Sequence, residues 1–227
     1  MKNNKTNIAI FDFCGTMVPF QSADEFIRFS TFDYANRAKA KKTDSIIAFL
    51  RKIRFLSLYN KLFKESLEKK IIAKRIKGMS VVEATSLAKR FVEKKIKPSF
   101  IKETLTILND CKKNNYYIVF VSAAYDIYLS ILAAELGFDF VIATKLDSKN
   151  GVMTGRFKND CVGLRKKKMI MRHLNQRFGE GNYDIVLSIG DSKTDIPVLD
   201  LALKKIVVSK SHQAWIKPSY EEIIYGD

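Results

Sequence analysis

An apolar run, Ile8-Ala9-Ile10-Phe11, ends on Asp12 and is followed at once by the turn Cys14-Gly15-Thr16. Four apolar residues in a row ahead of a carboxylate read as a strand buried on both faces. Such a strand needs helices above and below it, which points to an α/β sheet. Ligands in open α/β sheets bind beyond the carboxyl ends of the strands, where Asp12 and Thr16 would stand.

The stretch behind this strand has a different character. Residues 22 to about 114 carry helical spacing and no strand pattern. Asp24-Glu25-Phe26-Ile27-Arg28-Phe29 opens a helix, with Ser22 or Asp24 as its N-cap. Ile46, Ile47, Leu50, Ile53, Leu56 and Leu58 predict a helix over 44–59. A basic helix over 62–76 follows, ending at Gly78. Ser80-Val81-Val82-Glu83 is a capping-box pattern for a helix to about Lys95, and Pro98 starts another over 99–113. From Tyr116 continuous apolar runs return, at 116–121, 140–143, 185–189 and 206–208. Helices predicted over 127–136, closed by Gly137, and over 163–178 separate them. Asn150-Gly151 predicts a hairpin turn. The expected fold is α/β, a doubly wound and mostly parallel Rossmann-like sheet. Residues 1–20 and 106–227 form the core, and residues 21–105 form an inserted all-helical subdomain.

Composition narrows the chemistry. Three dispersed cysteines suit a reducing compartment and offer no disulfide framework or CxxC metal site. Two histidines, His173 and His212, exclude a multi-histidine metal centre and are expected at the surface and in a loop. No signal peptide or membrane span is recognisable, so the expected location is the cytoplasm. Net charge is +16, and residues 21–100 hold 20 Lys and Arg against 8 Asp and Glu. That excess suggests an anionic partner: a phosphorylated substrate or an acidic membrane surface met peripherally through the basic helices. Without a nucleic-acid motif, nucleic acid is not the expected partner.

Three strand ends carry polar groups: Asp12 and Thr16, then Ser122, then Asp191 and Asp195. Parallel strands put them on one edge of the sheet, with a lysine of the run Arg165-Lys166-Lys167-Lys168 approaching from a helix. Two aspartates suit Mg²⁺, a serine and a lysine suit phosphoryl oxygens, and Asp12 is left to attack phosphorus.

In this order the residues resemble the haloacid dehalogenase superfamily, in its subfamily IB branch of phosphoserine-phosphatase-like hydrolases with a helical cap. Four motifs carry the resemblance: Asp12-Phe13-Cys14-Gly15-Thr16, Val119-Phe120-Val121-Ser122, a lysine whose spacing selects Lys166, and Gly190-Asp191-Ser192-Lys193-Thr194-Asp195. The resemblance implies that Asp12 forms an aspartyl-phosphate. It implies Mg²⁺ held by Asp12, Asp191 and the backbone carbonyl of Cys14, with Asp195 in support. Thr16, Ser122 and Lys166 would hold the phosphate.

Two departures qualify this reading. Cys14 stands where most phosphatases of the family have a second aspartate, the general acid and base. A thiol with a pKa near 8.5 is a poor base at neutral pH, and the lost role is typically worth ~10²–10⁴-fold. Gln21 stands where phosphoserine phosphatases have a glutamate for the substrate's amino group, which argues against phosphoserine itself. The expectation is a Mg²⁺-dependent phosphohydrolase for a small phosphate monoester, such as a sugar or lipid intermediate, with attenuated activity. The alternatives are phosphoryl transfer to an acceptor other than water, and non-catalytic binding of phosphate or polyanions.

Overall fold

The computed structural model describes residues 5–33, 37–53 and 67–226. A six-stranded sheet of β1 (Thr6–Phe11), β2 (Tyr117–Tyr125), β3 (Phe140–Thr144), β6 (Tyr183–Gly190), β7 (Lys204–Ser209) and β8 (Glu221–Ile224) forms the core. Its order is β3-β2-β1-β6-β7-β8, and every pairing is parallel. The strands progress outward in both directions from β1 and β6, so the topological switch point lies between those two.

The period of two along each strand divides the core. Ala9, Phe11, Phe120 and Leu187 face one side, against the helices α5 (Lys102–Lys113) and α6 (Asp126–Leu136). Ile8, Ile10, Val119 and Ile185 face the other, against Ile170 and Leu174 of α7 (Leu164–Phe178) and Val198 of α8 (Ile196–Leu199). Full burial on both faces explains the unbroken apolar runs.

Between β1 and β2 lie α1 (Ser22–Asp33), α2 (Arg37–Lys52), α3 (Leu67–Ala73), α4 (Val81–Phe91) and α5. Ser80 caps α4 as expected, its hydroxyl accepting from the Glu83 N–H at 3.1 Å. The helix loosens into a π-turn over Val92–Ile96. Helix α1 starts at Ser22, so neither Ser22 nor Asp24 is its cap; the Ser22 hydroxyl is engaged elsewhere, as described below. Pro98 lies in a short 3-10 turn, and α5 begins only at Lys102 and runs on through position 105. Leu56, Leu58 and Leu62, part of two predicted helices, lie outside the described residues.

Asn150 and Gly151, both at positive φ, turn the hairpin of β4 (Leu146–Lys149) and β5 (Val152–Phe157). The hairpin reaches the helical segment, where the Val81 N–H donates to Gly151 O at 2.8 Å and the Met153 N–H to Met79 O at 2.8 Å. Strand β2 does not stop at Ser122: it continues irregularly to Tyr125, with the Ala124 N–H donating to Ser122 Oγ. His173, expected at the surface, is half-buried, stacked on Phe140 and 2.9 Å from the Tyr117 hydroxyl. No helix of the described residues is long and apolar enough to cross a membrane.

Candidate active site

Register places the functional groups at one level. Phe11 pairs with Phe120 on one side and Ile189 on the other, so Asp12, Ser122 and Asp191 emerge together beyond the strand ends. The Asp12 N–H still donates to Ile189 O at 3.0 Å, which holds Asp12 to the sheet. These residues open onto a cavity of about 340 Å³ beside the switch point. Asp12, Cys14, Gln21, Ser122, Lys166, Asp191 and Asp195 all line it. Thr16 lies behind Asp12, its buried hydroxyl 3.4 Å from Asp12 Oδ2.

Lys166, in the first turn of α7, is the electrostatic centre. Its ammonium donates to Asp12 Oδ1 at 2.7 Å and to Asp195 Oδ1 at 2.8 Å, with all three residues buried. Burial works against the lysine charge, but Asp12 and Asp195 together hold its pKa above the usual lysine range. Asp195 also accepts from the Ser192 hydroxyl at 2.6 Å.

The carboxylates outnumber their cation. Burial pushes the Asp12 carboxyl up to about 6 against the pull of Lys166, with Asp195 adding to the rise. Asp191 is pushed up to about 8 by burial and by the charges of Asp12 and Asp195. Carboxylate oxygens of Asp12, Asp191 and Asp195 lie within 4.8 Å of one another. Gly15, at φ +78°, leaves room for them: a Cβ there would sit 2.0 Å from Asp191 Oδ2. A crowded oxygen cluster short of positive charge, kept open by a glycine, fits a hard divalent cation such as Mg²⁺.

The Cys14 thiol lies 3.1 Å from the Ser22 hydroxyl and accepts from the Ser22 N–H at 3.4 Å. The Ser22 hydroxyl is in turn 2.7 Å from that of buried Tyr128. Burial and the charge of Asp12 push the thiol up to about 11, so it stays protonated at neutral pH. Cys111 and Cys161 are buried and pushed up to about 11 and 12 by desolvation, as inert thiols are.

Lys69 and Asp24 also line the cavity, and the Ser22–Tyr128 pair stands behind Cys14, although no sequence motif marks any of them. The hydrophobic and charge patterns around them are those of ordinary helices. Only the meeting of segments 54 to 106 residues apart reveals them.

A family model described as haloacid dehalogenase-like hydrolase matches residues 9–200. The chain belongs to that family. This hydrolase is 25% identical over 203 residues to the phosphoserine phosphatase of Methanocaldococcus jannaschii, covering 89% of this chain and 85% of that one. A protein with unknown function from Bordetella pertussis Tohama I matches with a TM-score of 0.71 at 18% identity, over 90% of each chain. A structure described as a phospho-aspartyl intermediate analogue of phosphoserine phosphatase matches with a TM-score of 0.56 at 21% identity, over 90% of this chain and 87% of that one. At such identities the solved structures speak for the fold, and the family match speaks for a haloacid dehalogenase-like hydrolase.

Proposed function

We propose that this hydrolase is a Mg²⁺-dependent phosphatase that cleaves a small phosphate monoester other than phosphoserine through an aspartyl-phosphate on Asp12. The observation that carries the reading is the Asp12 carboxylate itself. It is fixed at the switch point, paired to Lys166 through Oδ1, and backed by Asp191, Asp195 and Ser122 around one cavity. The helical segment, which contributes Gln21, Ala23, Asp24 and Lys69 to the lining, serves as the cap over that cavity.

Asp12, Asp191 and the Cys14 carbonyl would hold the metal. Bound there, Mg²⁺ supplies charge neutralisation for the carboxylates and the phosphoryl oxygens. The Lys166 ammonium and the Ser122 hydroxyl orient the phosphoryl group, with Thr16 steadying Asp12 from behind. Asp12 attacks phosphorus, the bond from phosphorus to the ester oxygen breaks, and the leaving oxygen takes the electron pair and then a proton from solvent water. Water next attacks phosphorus of the aspartyl-phosphate, releasing inorganic phosphate and free Asp12. Catalysis in both steps is positioning and electrostatics.

Neutral Gln21 on the cavity wall offers no charge to a substrate amino group, which favours a phosphate ester other than phosphoserine. A second reading has a specific observation behind it. The Cys14 thiol is engaged with Ser22 and stays protonated at neutral pH, so it cannot take a proton from water, which favours slow hydrolysis or transfer to a stronger nucleophile. The test is phosphate release from an aryl phosphate with Mg²⁺. Asp12→Asn should abolish it, and undiminished activity in that variant would overturn the mechanism. Phosphate appearing on an added alcohol faster than in water would favour the second reading.

A further inference from the structure

Lys69 is a cation from the helical segment buried inside the core. It sits on α3 and is only 8% exposed. Its ammonium donates to three acceptors from three separate core segments. These are Ala123 O at 2.7 Å, Thr144 Oγ1 at 2.9 Å and Asp160 Oδ1 at 2.5 Å. The rings of Tyr125 and Phe157 stand 5.5 and 5.1 Å from it.

Two of the acceptors lie on segments that carry parts of the active site. Ala123 directly follows Ser122, whose hydroxyl accepts from the Ala124 N–H. Asp160 begins the turn that leads into α7, where the Arg165 N–H donates to Val162 O and the Lys166 N–H to Gly163 O. Thr144 ends β3 and ties the other two together, 2.8 Å from Ala123 O and 3.1 Å from Asp160 Oδ1. It also accepts from the Cys161 N–H. One ammonium therefore braces the strand end that carries Ser122 against the turn that carries Lys166.

We infer that Lys69 is a positioning residue that couples seating of the cap on the core to alignment of Ser122 and Lys166. The charge balance makes this coupling close to all-or-none. Asp160 Oδ2 is buried with no partner among the described residues, so the carboxylate depends on what reaches Oδ1. Withdrawing α3 removes its counter-ion, and a buried carboxylate without one must be hydrated or protonated. Lys69 lines the cavity, yet its ammonium faces protein acceptors, so its effect on substrate passes through Ser122 and Lys166.

The inference rests on the phosphatase reading, and the experiment separates the two. Lys69→Met, Asp160→Asn and the double variant are compared with wild type for kcat and KM on an aryl phosphate with Mg²⁺. Thermal midpoint and amide exchange of residues 158–166 are followed alongside. Lys69→Met should lower kcat by ~100-fold, the scale of an ångström-sized misplacement, with a smaller change in KM. It should also lower the midpoint and speed exchange in 158–166. The double variant removes the stranded charge, so its midpoint should recover while kcat stays at least about tenfold down. Recovery of kcat together with the midpoint would reduce Lys69 to a structural role and overturn the inference. If wild type turns over no phosphate ester, the phosphatase reading fails, and exchange alone decides the coupling: unchanged exchange in Lys69→Met overturns it, faster exchange supports it.

Discussion

The Cys14 thiol is bonded to the Ser22 hydroxyl, 3.1 Å away, at the point where the chain leaves the sheet for α1. The thiol is thus aligned by the start of the helical segment, and Tyr128 of α6 holds Ser22 from the other side at 2.7 Å. The position is close to Asp12, but its thiol stays protonated at neutral pH and cannot serve as a base.

That arrangement predicts the effect of Cys14→Asp. A carboxylate at this place could accept from the Ser22 hydroxyl and take the proton from an attacking water. Hydrolysis of an aryl phosphate with Mg²⁺ should rise by tenfold or more, against a role typically worth ~10²–10⁴-fold. A fall in steady-state rate would instead mean that the thiol itself takes part.

Lys166→Met should be costly to the fold as well as to the reaction. It leaves Asp12 and Asp195 buried without the ammonium they share. Breaking a buried pair from one side typically costs about 3–5 kcal/mol. Denaturant unfolding without Mg²⁺ should show a loss of that order. Added Mg²⁺ should return part of the stability but not the phosphate release, if Lys166 orients the phosphoryl group as proposed.

The site should also set how stability depends on pH. Asp12 and Asp191 are raised in the folded state, to about 6 and about 8, from an ordinary 3.8. A raised carboxyl binds its proton more tightly folded than unfolded, so the folded state holds the extra protons. Their contribution is fully present below pH 3.8 and is lost as pH rises through 6 and then 8. Metal-free protein should therefore lose thermal stability from these groups across that window. Mg²⁺ should stabilise more at pH 8 than at pH 6, since binding needs the ionised forms. Asp191→Asn should flatten the upper part of the metal-free profile. A metal-free midpoint that rises steadily from pH 6 to 8, unchanged by Asp191→Asn, would contradict this account.

These groups were legible in sequence to different degrees, for physical reasons. Asp12, Ser122 and Asp191 end apolar runs, and a parallel sheet brings strand ends to one edge whatever the loops do. The hairpin at Asn150-Gly151 and the glycine at 137 were legible because positive φ restricts residue type. Strand β8 was missed because Glu221-Glu222-Ile223-Ile224 is an edge strand without an unbroken apolar run. The end of β2 was misplaced because Ala123 to Tyr125 continue the strand past its polar terminator. Lys69 and Asp160 meet across 91 residues, and nothing local to either marks it for burial. Contacts between the helical segment and the core are set by packing, which a linear pattern does not encode.

Gly15 gives the sharpest test of the metal cradle. At φ +78° its backbone suits glycine, and a methyl group there would stand 2.0 Å from Asp191 Oδ2 and 2.4 Å from Asp191 Cγ. The clash falls on a short, half-buried side chain that cannot move away without leaving the carboxylate cluster. Gly15→Ala therefore carries two costs. The left-handed backbone costs of order 1 kcal/mol, and Asp191 is displaced from Asp12. Calorimetric titration with Mg²⁺ should show affinity at least tenfold weaker, and phosphate release should fall with it. High Mg²⁺ should restore only part of the rate, since the displaced carboxylate no longer holds the cation against Asp12. Gly163→Ala serves as a control on backbone strain, since that position also has positive φ but nothing within 4 Å of the added methyl. It should weaken Mg²⁺ binding far less. Equal losses in the two variants would assign the effect to the backbone and remove the argument for a cradle.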